Sequence, residues 1–314
     1  MSGRKKQRKN RKKITYGIIV VILIFVCFLA YSFLHSSSSQ VAIVDHLSFF
    51  PEQRNKTFVN ACTNILEEGG LTWAYYKSEK ITVDFYRNLP SRGTNLIILR
   101  VHSAIMKTEE GIISILGLFT SELYSPEAAK KYPEDVKYDR LVRAFFPGED
   151  EEYFGIVPSF VEKSTEGKFK DTIIIMMGCE GLGYINTLNH TRVTYTDMAE
   201  AFFKKGAKVY IGWDGPVGIN HTDQATDYLL QRLILKKRTI KEAVQQTNDD
   251  IGKDPMYNST LKYYPDTPEV ENYTIPNLKN SLTMNVIPNL ESSLTVDVAY
   301  TSPTQRTPKR SEIS

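Results

Sequence analysis

A cysteine and a histidine, 77 residues apart, are the side chains of this sequence best placed for covalent chemistry. Cys179 sits in Thr172-Ile-Ile-Ile-Met-Met-Gly-Cys-Glu-Gly-Leu-Gly183, where a six-residue apolar or β-branched run stops at a glycine-rich turn. His102 follows a second such run, Asn95-Leu-Ile-Ile-Leu-Arg-Val101. Runs of this kind read as strands covered on both faces, and in open α/β sheets ligands gather at the carboxyl ends of strands. A thiol attacks only as its thiolate, so it needs a base or a positive field close by. If the two strands are neighbours, His102 would activate Cys179 or protonate a leaving amine. The backbone N–H groups of Ser103 and Cys179 would then face the oxygen of an acyl substrate. The bland alternatives are an inert buried cysteine and a satisfied strand-end histidine.

Other residues carry weaker signals. Trp213-Asp214 closes the run Ala207 to Trp213, and a carboxylate there could line a pocket for a basic side chain. It could equally cap a turn leading to Pro216. Glu180 reads as a first-turn helix acid favoured by the helix dipole. Gly178-x-x-Gly181-x-Gly183 lacks the Lys and Ser/Thr of a phosphate loop. Cys62, among Phe58, Val59 and Ile65, reads as core, with a minor chance of pairing with Cys179. His46 follows the first strand, from where it could approach the site, but it reads rather as a surface-loop residue. The five histidines show no HExxH spacing and the three cysteines no CxxC, so neither a metal nor a cofactor is expected.

The elements that must hold these residues alternate. Strands are expected at Val41–Val44, Leu71–Tyr76, Asn95–Val101, Thr172–Met177, Ala207–Trp213 and Leu261–Tyr264. Helices are expected at Pro51–Glu68, Val83–Leu89, Thr196–Lys205 with Thr196 capping, Thr222–Leu235 and Thr239–Ile251. Gly111 to Thr120 reads as a hairpin partner and Tyr153 to Phe160 as an edge strand. Residues 121–170 are otherwise hard to read. The succession predicts an α/β fold, a mostly parallel sheet with helices on both faces.

Arg-Val-His102-Ser-Ala, the strand ending Gly-Cys179-Glu-Gly, Ala-Phe-Phe-Lys-Lys-Gly206-Ala-Lys-Val-Tyr-Ile-Gly-Trp213-Asp-Gly-Pro-Val and Thr239-Ile-Lys-Glu-Ala243 together resemble the caspase-like (clan CD) cysteine peptidase superfamily. The CHAT, gingipain and separase branch looks nearest. The resemblance covers roughly residues 42–266. It implies a caspase-like three-layer sandwich and a His–Cys dyad at His102 and Cys179, with no third catalytic residue. It also implies an acidic specificity pocket, matched here by Trp213 and Asp214. The family usually has Gly after the histidine, and this sequence has Ser103.

The amino-terminal region is of another character. Residues 1–34 hold eight Lys or Arg and no acid, leaving 31 basic against 36 acidic residues in the remainder. That acidic balance argues against a nucleic-acid partner. After the basic segment 1–13, residues 14–34 are uncharged over 21 positions, enough to span a bilayer at ~1.5 Å per residue. The flanking charge predicts a cytoplasmic N-terminus and an extracytoplasmic main domain, joined to the anchor by a Ser-rich tether at 35–41. A cleaved signal peptide is the runner-up. Five Asn-x-Thr sequons, at Asn55, Asn189, Asn220, Asn258 and Asn272, fit that side of the membrane. The α/β domain is expected over 42–266, and 267–314 form an extension. There Ile275–Val286 is repeated as Ile287–Val298 with eight of twelve positions identical, followed by a Ser/Thr/Pro-rich tail.

The sequence therefore predicts a membrane-anchored cysteine endopeptidase acting on a protein or peptide substrate. Two other readings stand beside it: a catalytically silent caspase-like surface binding or adhesion module, and a flavodoxin-like sensor domain.

Overall fold

The computed structural model describes residues 40–108, 111–146, 150–186 and 192–275. The expected anchor at 14–34, the sequon at Asn189 and all of the repeat beyond Ile275 lie outside them. Among the described residues no helix is long and apolar enough to cross a membrane.

Six strands form the main sheet: β1 (Val41–Asp45), β2 (Trp73–Lys77), β3 (Leu96–Arg100), β8 (Thr172–Met176), β11 (Ala207–Trp213) and β12 (Leu261–Tyr264). Their order is β12-β11-β8-β3-β1-β2, all parallel except β12. Every residue of β1, β3 and β8 is buried, as unbroken apolar runs between two covered faces should be. Alternate side chains feed two separate cores. Val41, Ile43, Ile98, Ile175 and Met177 pack with helices α1 (Lys56–Glu68), α7 (Ile219–Leu230) and α8 (Ile240–Asp250). Ala42, Val44, Leu99, Ile174 and Met176 pack on the other face with α2 (Val83–Arg87), α5 (Pro158–Ser164) and α6 (Asp197–Lys204).

That second face also meets a sheet the sequence disclosed only in part. Strands β4 (Ser103–Thr108), β5 (Gly111–Leu123), β7 (Glu152–Ile156) and β6 (Leu141–Phe145) run antiparallel in the order β4-β5-β7-β6. The expected hairpin is the β4–β5 pair. The expected edge strand at Tyr153–Phe160 is instead β7, paired on both sides, and its second half is α5. Pro158 begins that helix, a position where the missing N–H costs nothing. A two-stranded pair, β9 (Tyr184–Asn186) with β10 (Arg192–Thr194), follows the glycine turn. Short helices α3 (Pro126–Ala129) and α4 (Pro133–Lys137) fill the charged stretch before β6, and α9 (Pro268–Glu271) follows β12.

Two helix ends differ in detail from expectation. The hydroxyl of Thr196 donates to Glu200 Oε1 rather than accepting from the first turn of α6. The helix expected at Thr222–Leu235 starts at Ile219 and ends in a π-helical turn at Gln231–Leu235. Thr239 and Glu242 do form the reciprocal capping box that starts α8.

Candidate active site

Strands β3 and β8 are hydrogen-bonded neighbours, with Leu96 opposite Ile173 and Leu99 opposite Met176. Continued by three residues, that register brings His102 and Cys179 to the same lip of the sheet. The two exits also touch directly, because Ser103 Oγ donates to Cys179 O at 2.5 Å. Gly178 is required at this crossing. A Cβ there would lie 2.5 Å from both Ser103 Oγ and Val101 O, which no side chain can tolerate. Ser103 thus contributes a hydroxyl contact that the sequence did not suggest.

A buried ion pair fixes the histidine side. Arg100, fully buried, donates to Asp223 through Nε and Nη2 and to Asp45 through Nη1, at 2.8 to 2.9 Å. Its Nη2 also holds Gln53 O at 3.0 Å, and its guanidinium lies over the Phe58 ring. One side chain therefore ties β1, β3, α7 and the 3-10 turn Pro51–Gln53 together. Gln53 in turn meets His102: its Oε1 lies 2.7 Å from Nε2. With Nε2–H donating there, the basic lone pair falls on Nδ1. Around the imidazole stand the rings of Phe146 (4.8 Å between centroids), Phe50 (5.6 Å), His46 (5.9 Å) and Phe119 (6.1 Å). This apolar wall, with the Arg100 charge added, pushes the His102 pKa down to about 4. His46 is no surface residue. It is fully buried beneath His102, whose main-chain N–H points at its Nδ1 from 3.5 Å, and burial pushes its pKa down to about 3.

Main-chain groups and acids hold the cysteine side. Cys179, partly buried, donates its S–H to Val217 O at 3.7 Å and receives the Val217 N–H at 3.5 Å. Burial raises the thiol pKa, and nearby Glu180 and Asp254 add to the rise, against the pull of the Val217 N–H. Asp254 anchors the Val217 segment, accepting from the N–H groups of Gly218, Met256 and Tyr257. Glu180 has left-handed backbone (φ +64°), its N–H donating to Gly215 O and its carboxylate accepting from the Tyr195 hydroxyl. Burial and then Asp214 raise the Glu180 pKa. The imidazole and the thiol thus each hydrogen-bond to other groups, and both are neutral near pH 7.

The remaining expected residues divide. Trp213 is core: 1% exposed, its indole N–H donates to Thr222 Oγ1, which itself bonds Met177 O. It offers no surface to a substrate. Both carboxylate oxygens of Asp214 accept from Thr260, through its N–H (2.7 Å) and its hydroxyl (2.8 Å), and Lys262 Nζ lies 3.9 Å away. Cys62 is buried and donates to Asp227 Oδ1, which satisfies it within the core. Of the sequons, Asn220, Asn258 and Asn272 are exposed. Asn55 is not free in the same way, since its carbonyl caps α1 at Phe58 N and its amide donates to Asp223. A cleft of about 530 Å³ beside Asp45, Arg54 and Tyr75 includes neither His102 nor Cys179.

Sequence reasoning missed Arg100, Gln53 and the aromatic wall. Arg100 alone carried a signal, a cation inside an otherwise apolar strand run, which implies buried carboxylate partners.

No family model matches this chain, and no curated protein matches it. Among solved structures, gingipain R, described as an Arg-specific cysteine proteinase, aligns with a TM-score of 0.40 and 13% identity. That alignment covers 69% of this chain and 43% of the gingipain chain.

Proposed function

We propose that this chain is a cysteine endopeptidase of the caspase-like type, with His102 and Cys179 as its dyad. The observation that carries the reading is the β3–β8 register, which continues to a histidine on one strand and a cysteine on the next. In the proposed cycle, Nδ1 of neutral His102 takes the thiol proton as the sulfur attacks a peptide carbonyl. The N–H groups of Ser103 and Cys179 receive the developing oxyanion. Collapse expels the amine, which takes its proton from the imidazolium, and water then hydrolyses the thioester to free acid and thiol. Because both groups rest neutral, the proton moves with attack rather than beforehand. His102 therefore has to leave Gln53 and Phe146 far enough to face the sulfur. Asp214, beside Glu180, is the proposed acidic determinant for a basic residue before the cut. The chain is further proposed to be a single-pass membrane protein anchored by residues 14–34, with its domain and glycosylated sequons outside the cytoplasm.

Fluorogenic peptides with Arg, Lys, Asp or Asn before the cut test the activity. Turnover that vanishes in both Cys179→Ala and His102→Ala is expected; turnover that survives either change refutes the dyad. A second reading, a silent binding module, draws on the raised thiol pKa and the cleft beside Asp45. It requires that no peptide be turned over at any pH.

A further inference from the structure

The small antiparallel sheet has one face in the core, through Leu116, Leu118, Phe154 and Ile156. Its other face should be polar, as the solvent side of such a sheet usually is. It is mostly apolar, with one charged group, Arg143, that is paired with Glu152. Ala104, Met106, Gly117, Phe119, Val142 and Ala144 line a groove of about 250 Å³ there. That is below the ~300–1,000 Å³ of drug-sized sites, room for one or two side chains. Gly117 keeps the groove open: a Cβ there would stand in it, 3.7 Å from Ala104 O and 3.8 Å from Val142 Cγ2.

The groove is continuous with the candidate site. Phe119 belongs to both: its ring lines the groove and also packs on His102, and its N–H donates to His102 O at 3.0 Å. Ala104 pairs with Gly117 only two positions past His102, roughly 7 Å along an extended chain. Strand β4, which begins at Ser103, is the last strand on its side of the sheet among the described residues. An edge of this kind takes up an extended peptide through main-chain hydrogen bonds, while alternate side chains enter pockets. Chemistry then fixes which part of a substrate lies here. The general acid must reach the leaving nitrogen, so whatever that nitrogen carries lies on the histidine side of the lip.

We infer that this groove is a subsite for a large aliphatic or aromatic side chain carried within two residues after the scissile bond of a peptide. The inference rests on the peptidase reading. It predicts that the enzyme selects its substrates from both directions: an acidic side before the cut and an apolar side after it.

The test uses the full chain and internally quenched octapeptides with Arg before the cut and Ala, Leu, Phe or Asp at each of the next two positions. Leu or Phe should exceed Asp in kcat/KM by tenfold or more at one of them. Gly117→Leu fills the groove and should cut that ratio at least fivefold. Gly117→Ala, whose methyl makes ordinary contacts, does so in smaller measure if the larger change harms folding. Leu123→Ala, exposed on the same strand outside the groove, should leave the ratio as it was. A second arm separates the inference from the reading beneath it. Fluorescence anisotropy of the labelled Leu peptide on Cys179→Ala needs no turnover. Weaker binding after Gly117→Leu supports the groove even if nothing is cleaved. Equal ratios across the four residues, or binding unchanged by Gly117→Leu, overturns it.

Discussion

The two sides of the sheet lip that carries His102 and Cys179 are built from different materials. On the β1–β3 side, His102 stands among aromatic rings with one amide for a partner, and everything beneath it is pinned by Arg100. On the β8–β11 side, Cys179 lies against main-chain groups of Val217, near the carboxylates of Glu180 and Asp254, with Asp214 in turn near Glu180. Apolar walls expel positive charge from the imidazole, and burial, helped by the nearby acids, expels negative charge from the sulfur. Each half therefore holds its reactive group neutral for its own reason. On the proposed peptidase reading, the contrast would place apolar substrate residues toward the histidine and a basic residue toward the acids.

The largest effect expected is on turnover. Cys179→Ala should lower peptide hydrolysis by at least about 10³-fold while circular dichroism and melting stay as in the native chain. Next comes the scaffold. Arg100→Leu strands Asp45 and Asp223 as unpaired buried carboxylates and should cost about 3–5 kcal/mol in urea unfolding, whereas exposed Lys204→Ala should leave the urea midpoint unchanged within error. A cost no larger than that of a surface pair would show that the histidine side is not held as described. For specificity, Asp214→Asn keeps an acceptor for Thr260 but drops the charge, and should reduce kcat/KM for Arg peptides roughly tenfold. No change for Arg would leave Asp214 as a turn cap alone.

Two smaller effects concern protons. Phe146→Ala opens the wall, so the His102 pKa should rise from about 4 toward its ordinary value, read by NMR titration of the imidazole. The same burial ties stability to pH. Between pH 6.5 and about 4, the unfolded chain binds protons that native His102 and His46 refuse, so stability falls as pH drops through that window. Asp227 works the other way. Its pKa is raised by burial to about 6, so its share of stability is lost as pH rises from 3.8 to 6. Glu180 and Asp197, also raised by burial, act with Asp227 against the two histidines, so the histidine share is isolated by comparison: the ratio of the urea midpoint at pH 4.5 to that at pH 7 should be higher in His102→Gln than in the native chain.

Much of the main sheet was legible because its strands are unbroken apolar runs ended by Gly, Pro or a polar residue, as at Thr172–Met176. That the strands leading to His102 and Cys179 lie side by side was likewise readable once both were identified. The small sheet was legible only in part: β6 lies in a charged stretch with no clean alternation, and β7 is placed inside the sheet by pairing with β5 thirty or more residues earlier, which no local pattern announces. The pocket reading of Trp213 failed for a local reason. The indole alternates inward on a seven-residue strand, and its N–H is satisfied by Thr222. His46 misled because one histidine after a strand carries no sign of the Phe50 and Phe119 rings that bury it.

The central claim is that the imidazole of His102 governs the thiol of Cys179. It is tested most directly by the rate of Cys179 alkylation with iodoacetamide between pH 3.5 and 9, in the native chain and in His102→Ala, with Cys62 as internal reference. Cys179 should react at least tenfold faster than Cys62, with a rise near pH 4 that disappears, along with most of the rate, when His102 is removed. Identical profiles in the two proteins would contradict the dyad.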